Sequence, residues 1–142
     1  MSIIFESSVA AFGFYAAINA LILLVLSALV VRARAVTETA IGDGGKPEMM
    51  CAIRAHANNA EYVPMAFVLM WTLASPLSHF SWMIHAVGAP LTVGRLLHGY
   101  GLSHTAGPST PRFLGIVLTW IAYVIGIVAV LWVVFLPQIV AS

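Results

Sequence analysis

The chain alternates long apolar runs with short polar interruptions, and the positions of those interruptions predict its elements. Residues 9–31 carry no charged side chain. As a helix these 23 residues would be about 34 Å long, enough to cross a hydrocarbon core. Arg32 and Arg34 close the run. Residues 35–46 then place Thr37, Glu38, Asp43 and Lys46 around Gly42, Gly44 and Gly45, which reads as a polar, glycine-rich turn. Pro47 suits the first position of a helix and Glu48 its first turn, so a second helix is predicted over 47–74, with Pro64 inside it. Ser75 to His79 reads as a short turn. A third helix is predicted over 80–102, with Trp82 as an interfacial anchor near its start and His104 in the loop beyond its end. Thr110 as cap and Pro111 as first residue start a fourth helix over 111–137, whose body is uncharged.

Composition decides what kind of protein these four helices make. The chain is 142 residues long, 61% hydrophobic and only 8% charged, with a mean hydropathy of +1.00. A soluble domain would carry about 25% charged residues. The expected fold is therefore an all-α integral membrane protein, a four-helix transmembrane bundle forming one domain over 1–142. A net charge of +1 lacks the concentrated basic patch that nucleic acid demands. The single cysteine, Cys51, excludes an internal disulfide and reads as a small buried side chain. No cleavable leader is expected, because the N-terminus has no basic region and carries Glu6. With four antiparallel spans, all six Lys and Arg residues gather at one end. The positive-inside rule makes that end cytoplasmic and leaves both termini outside.

Against this apolar background, polar residues within the helices stand out. Asn19 lies mid-span and suits an interhelical hydrogen bond. Arg95 and His98, three apart, are neighbours on one helix face. On the second helix, Asn58 lies about 40° round from Arg54, and Glu61 about 20° the other way, so the three share one stripe. His56 and Asn59 point elsewhere. Glu61 is the sole acidic residue well inside a predicted span. Ionisable groups in such positions mark functional sites by default, although Arg54 and Glu61 could also pair as a structural salt bridge. No histidine has a partner at metal-ligand spacing, and no metal is expected.

The stretch Arg54-Ala-His-Ala-Asn58-Asn-Ala-Glu61-Tyr-Val-Pro64 resembles R-A-H-x-N-x-x-E-x-x-P. That pattern is the second-helix signature of the MAPEG family, membrane-associated proteins in eicosanoid and glutathione metabolism, and especially of its bacterial members. Every fixed position is filled. The resemblance implies a homotrimer of four-helix bundles in a bacterial inner membrane, with glutathione bound between subunits near the cytoplasmic surface. It implies that Arg54, Asn58, Glu61 and Tyr62 hold the tripeptide and that Arg112 stabilises the thiolate. By the same resemblance Arg95, His98, Tyr100 and Arg32 complete the site. One departure stands ahead of Arg54: many catalytic members carry a further arginine there, and this chain reads Glu48-Met-Met-Cys-Ala-Ile.

The residue types suit the ligand. Glutathione carries two carboxylates, an ammonium and a thiol. Arginine forks pair bidentately with carboxylates, Glu61 offers the ammonium a partner, and Asn58 supplies a donor and an acceptor for peptide groups. The thiolate is the nucleophile. A free thiol has a pKa of about 8.5, so a cation such as Arg112 near the sulfur would increase the reactive form at neutral pH. The expected activity is a glutathione transferase or peroxidase, using glutathione as co-substrate and taking an apolar electrophile or lipid hydroperoxide from the bilayer. The alternative is a non-enzymatic member that binds lipid or a partner protein. A cation transporter would need an accessible central acid, and the neighbours of Glu61 suit an anion-bearing ligand instead.

Overall fold

A computed structural model describes residues 7–74 and 81–140, with side chains to residue 135. It contains four helices in an all-α bundle: α1 (Ser8–Thr37), α2 (Pro47–Ala74), α3 (Ser81–His104) and α4 (Thr110–Val140). The turn expected at Ser75 to His79, and the start of the third helix at Phe80, lie outside the described residues. Two of the four, α1 and the described part of α4, are long and apolar enough to cross a membrane. In α2 and α3 the polar residues interrupt the apolar surface.

Helix ends differ from the sequence reading for local reasons. Ser7 caps α1 by accepting from the Ala10 amide at 3.3 Å. At the other end α1 runs beyond Val31 to Thr37, because arginines are good helix formers and no glycine or proline intervenes. Glu38 then turns left-handed at φ 51°, and the chain folds back through Gly42, Gly44 and Gly45, all at positive φ, where only glycine is unstrained. Arg34 secures this turn by reaching the carbonyls of Thr39, Ala40 and Gly42 at 3.0–3.3 Å. Likewise α3 keeps Ser103 and His104, correcting the placement of His104 in a loop. The Ser103 hydroxyl donates back to Gly99 O at 2.7 Å, and His104 Nδ1 lies 2.7 Å from Tyr100 O.

The main core lies between α1, α2, α3 and α4, around Ala66, Met70, Leu73, Ile84, Val87, Leu91 and Ala122, all 0% exposed. Asn19 makes the interhelical bond its position suggested: its Nδ2 donates to Thr92 Oγ1 at 2.8 Å and to Tyr15 O at 3.0 Å. Tyr15 itself bonds His85 Nδ1 at 3.0 Å, so a polar rung ties α1 to α3. Thr92→Val keeps the shape and removes the acceptor. It should lower stability by about 1 kcal/mol, read from unfolding in mixed detergent micelles. An unchanged unfolding midpoint would mean the rung carries no net energy.

Close packing of α3 on α4 places the site. A Cβ on Gly115 would sit 2.5 Å from His98 N, and one on Gly94 would sit 2.8 Å from Gly115 O. The two backbones touch there, which draws the last turns of α3 against the first turns of α4.

Candidate functional site

The stripe foreseen on α2 exists, but its members divide between surface and interior. Arg54 Nη1 and Glu61 Oε1 face each other at 3.4 Å, with side chains 48% and 52% exposed. A pair that open is worth at most about 1 kcal/mol, so either group can exchange its partner for a ligand at small cost. Asn58, between them, turns inward. Its Oδ1 accepts from Arg95 Nη1 at 2.9 Å, linking α2 to α3.

Arg95 is the most deeply placed cation described, at 1% exposure. Its guanidinium carbon stands 5.2 Å from the centroid of the Tyr62 ring, a cation–π contact. Tyr62 is also held by Tyr123 of α4. The Tyr123 hydroxyl donates to the Tyr62 carbonyl, and the rings meet edge-to-face at 6.1 Å. Arg95 Nε and Nη2 have no acceptor among the described residues. A buried cation costs several kcal/mol to desolvate, and Asn58 with one aromatic face offsets only part of that. The cluster is thus short of a negative group.

One turn along α3 from Arg95, His98 Nδ1 lies 2.9 Å from Arg112 O. A carbonyl can only accept, so Nδ1 carries a proton in this bond. The Arg112 side chain turns toward the α3–α4 loop, where Nη1 donates to the carbonyls of Ala106, at 3.2 Å, and Gly107. Gly101 makes room for this corner, since a Cβ there would lie 2.9 Å from Arg112 N.

Within one chain, then, Arg54, Asn58, Glu61, Tyr62 and Arg95 form one group across α2 and α3, and His98 and Arg112 form a second one turn away. Arg32 is brought to neither, and Tyr100 meets the first group only where Arg95 borders the groove it lines. Both are exposed; Tyr100 lines a groove between α1 and α3, and Arg32 an adjoining cleft that Glu48 and Ala52 of α2 also line. The sequence reading missed Tyr123, whose hydroxyl in an otherwise apolar span was the available signal.

Chemically, the two groups offer cationic forks, one carboxylate, an amide and a phenol ring within a low-dielectric bundle. The Arg95 nitrogens without an acceptor among the described residues are donors open to an anionic group. The sequence model of the MAPEG family matches residues 12–132 of the chain. Inner membrane protein YecN of Escherichia coli is 41% identical over 118 residues, covering 83% of this chain and 88% of YecN. YecN of a second Escherichia coli strain matches equally. No solved structure matches.

Proposed function

Because the chain belongs to the MAPEG family, a family of membrane proteins, we propose that it binds glutathione in the cluster around Arg54, Asn58, Glu61, Tyr62 and Arg95. The observation that carries this reading is Arg95, buried with two nitrogens that lack acceptors among the described residues, beside a loosely paired Arg54 and Glu61. A glutathione carboxylate would supply the missing charge, and Glu61 would take the ammonium.

In this reading all four helices span a bacterial inner membrane, with the basic end cytoplasmic. The chain assembles as a homotrimer, and the half-exposed Arg54 and Glu61 face the next copy. Arg32 and Tyr100, which lie apart from the cluster in one chain, would join a glutathione site only if a neighbouring subunit supplied them. The activity is conjugation, in which the glutathione thiolate forms a C–S bond to an apolar electrophile from the bilayer and expels its leaving group, or reduction of a lipid hydroperoxide to the alcohol and water as two glutathione molecules are oxidised to the disulfide. Arg112 stabilises the thiolate and His98 fixes its backbone.

A second reading is favoured by one observation: Arg112 already gives its Nη1 donors to loop carbonyls. That would suit a member that binds lipid or a partner protein without turnover.

Calorimetric titration of glutathione into the detergent-purified protein tests the binding site. Saturable binding is expected, weakened about tenfold to hundredfold by Arg54→Ala and by Glu61→Ala. Absence of binding to folded protein would sink the glutathione reading and leave the family membership standing.

A further inference from the structure

Three enclosed polar side chains between α1, α2 and α3 have unmet hydrogen bonds among the described residues, and what each lacks another can supply. Asn59 is 2% exposed, and neither its Nδ2 nor its Oδ1 has a partner there. Asn19, at 1% exposure, gives its Nδ2 to Tyr15 and Thr92, while its Oδ1 meets no donor. Arg95 gives Nη1 to Asn58, while Nε and Nη2 meet no acceptor. Asn19 thus needs a donor, Arg95 needs acceptors, and Asn59 needs both.

The helix registers place the three in neighbouring layers. On α2, Asn59 lies on the buried stripe between Ala55 and Ala66. Ala55 packs with Ile22 and Leu26 of α1 and Leu102 of α3, and Ala66 shares the main core with Tyr15 of α1 and Leu91 of α3. The Asn59 side chain therefore points into the interior that these helices enclose. Its chain neighbour Asn58 bonds Arg95 at 2.9 Å, so Asn59 stands within about 1.5 Å, one residue's rise, of that level. Thr92, which takes Asn19 at 2.8 Å, precedes Arg95 by one turn on the same face of α3. Neither asparagine lines the groove or the cleft, whereas Arg95 borders the groove. A ligand in the glutathione cluster would meet the arginine and not the two asparagines.

Hydrocarbon offers no hydrogen bonds, so polar groups enclosed at this depth must be satisfied within the bundle. An internal water makes about three hydrogen bonds and both donates and accepts. We propose that ordered water in this interior links Arg95 to Asn19 through Asn59. One water accepts from Arg95 and donates to Asn59 Oδ1, and a second accepts from Asn59 Nδ2 and donates to Asn19 Oδ1. Asn59 becomes a positioning residue that holds the Arg95 guanidinium from inside the bundle. The effect on ligand binding rests on the glutathione site proposed above, whereas the water link itself does not.

Asn59→Leu and Asn59→Asp, compared with the parent by thermal unfolding in detergent and by glutathione titration, test the link. Leucine removes the middle of it, strands Asn19 Oδ1 and Arg95, and should lower the unfolding midpoint by about 5 °C. Aspartate has nearly the shape of asparagine and sets a carboxylate within reach of a cation that has N–H groups to give. Its midpoint should match or exceed the parent's. Glutathione should bind Asn59→Asp about tenfold more weakly, because the new carboxylate supplies the charge that the tripeptide would bring. If both midpoints shift as expected while the parent binds no glutathione, the water link stands and the glutathione reading falls. An Asn59→Asp protein less stable than Asn59→Leu would mean that no cation lies in reach, and would overturn the link. So would an Asn59→Leu protein more stable than the parent. A density map of the parent protein that orders buried water decides independently of the variants. Peaks are expected about 3 Å from Asn59 Oδ1 and from Nδ2; a dry interior, or Asn59 bonded directly to Arg95 or Asn19, would overturn the proposal.

Discussion

Replacing Gly115 by alanine is expected to cost about 3 kcal/mol and to dissolve the candidate site with it. The added methyl would lie 2.5 Å from His98 N and 2.7 Å from both Gly94 O and His98 Cβ. Two of these atoms are backbone, so no rotamer change relieves the clash and α3 must move away from α4. That separation lengthens the 2.9 Å contact of His98 Nδ1 with Arg112 O and frees the corner that Gly101 accommodates. The control is Gly13→Ala, where nothing lies within 4 Å of the new Cβ and the better helix propensity should leave stability equal or slightly raised. Gly99→Ala, with its nearest neighbour a flexible Leu26 side chain at 3.4 Å, should fall near the control. Thermal unfolding in detergent, followed by the fluorescence of the tryptophans, ranks the three. A Gly115→Ala protein as stable as Gly13→Ala would show that the α3–α4 contact is looser than described.

The same contact marks how far the sequence could be read. Four helices were legible because each is a long apolar run bounded by glycine, proline or capping residues, and periodicity alone put Arg54, Asn58 and Glu61 on one stripe. The first loop was legible for the same reason, since three glycines with an aspartate admit few structures other than a turn. Periodicity is a property of one helix, however. It could not say that Asn58 would turn to Arg95 while Arg54 and Glu61 stayed outside, because that depends on how closely α3 approaches α2. Nor could it bring Tyr123 of α4 to the back of Tyr62. Arg32 and Tyr100 show the limit most clearly. A family resemblance groups them with the glutathione site, whereas the folded chain sets Tyr100 in a groove that Arg95 only borders, and Arg32 in the cleft adjoining it. α1 continues six residues past its apolar run, because a change from apolar to charged residues marks where a membrane surface lies, not where hydrogen bonding of the backbone stops.

That Arg95 is retained in such an environment is the strongest structural argument for a ligand. An arginine at this depth could be replaced by a packed apolar side chain at little or no cost to stability if it served the fold alone. Its placement between Asn58 and the Tyr62 ring orients the guanidinium but leaves two nitrogens unused, an arrangement that stabilises the protein most when an anion arrives. In the glutathione reading, a carboxylate of the ligand would complete the cluster.

Arg112→Ala separates the enzymatic reading from the binding one. If the protein is a glutathione transferase, the substitution should lower kcat about 100-fold to 1000-fold while glutathione affinity changes little. The reasoning starts from the hydrogen bonds. The loop carbonyls of Ala106 and Gly107 occupy Nη1 only, so the loop holds the guanidinium in place and leaves Nε and Nη2 available to a sulfur anion. A cation fixed in advance needs no reorganisation when charge develops, which is where electrostatic stabilisation is largest. It also lowers the thiol pKa from its ordinary value of about 8.5, each unit being worth about 1.4 kcal/mol. The thiolate form in the parent complex should persist to lower pH, and in Arg112→Ala the turnover should rise with pH toward the range of a free thiol. Arg112→Lys keeps the charge but gives up the planar fork that serves the loop and the sulfur together, so its turnover should fall between the two. The pH–rate profiles of the three proteins, with an apolar chloronitrobenzene as electrophile, make the comparison. Equal turnover in all three would reject Arg112 as the thiolate partner. Glutathione binding without turnover in the parent protein would assign the site to a non-enzymatic binder, in which Arg112 serves only to hold the α3–α4 loop.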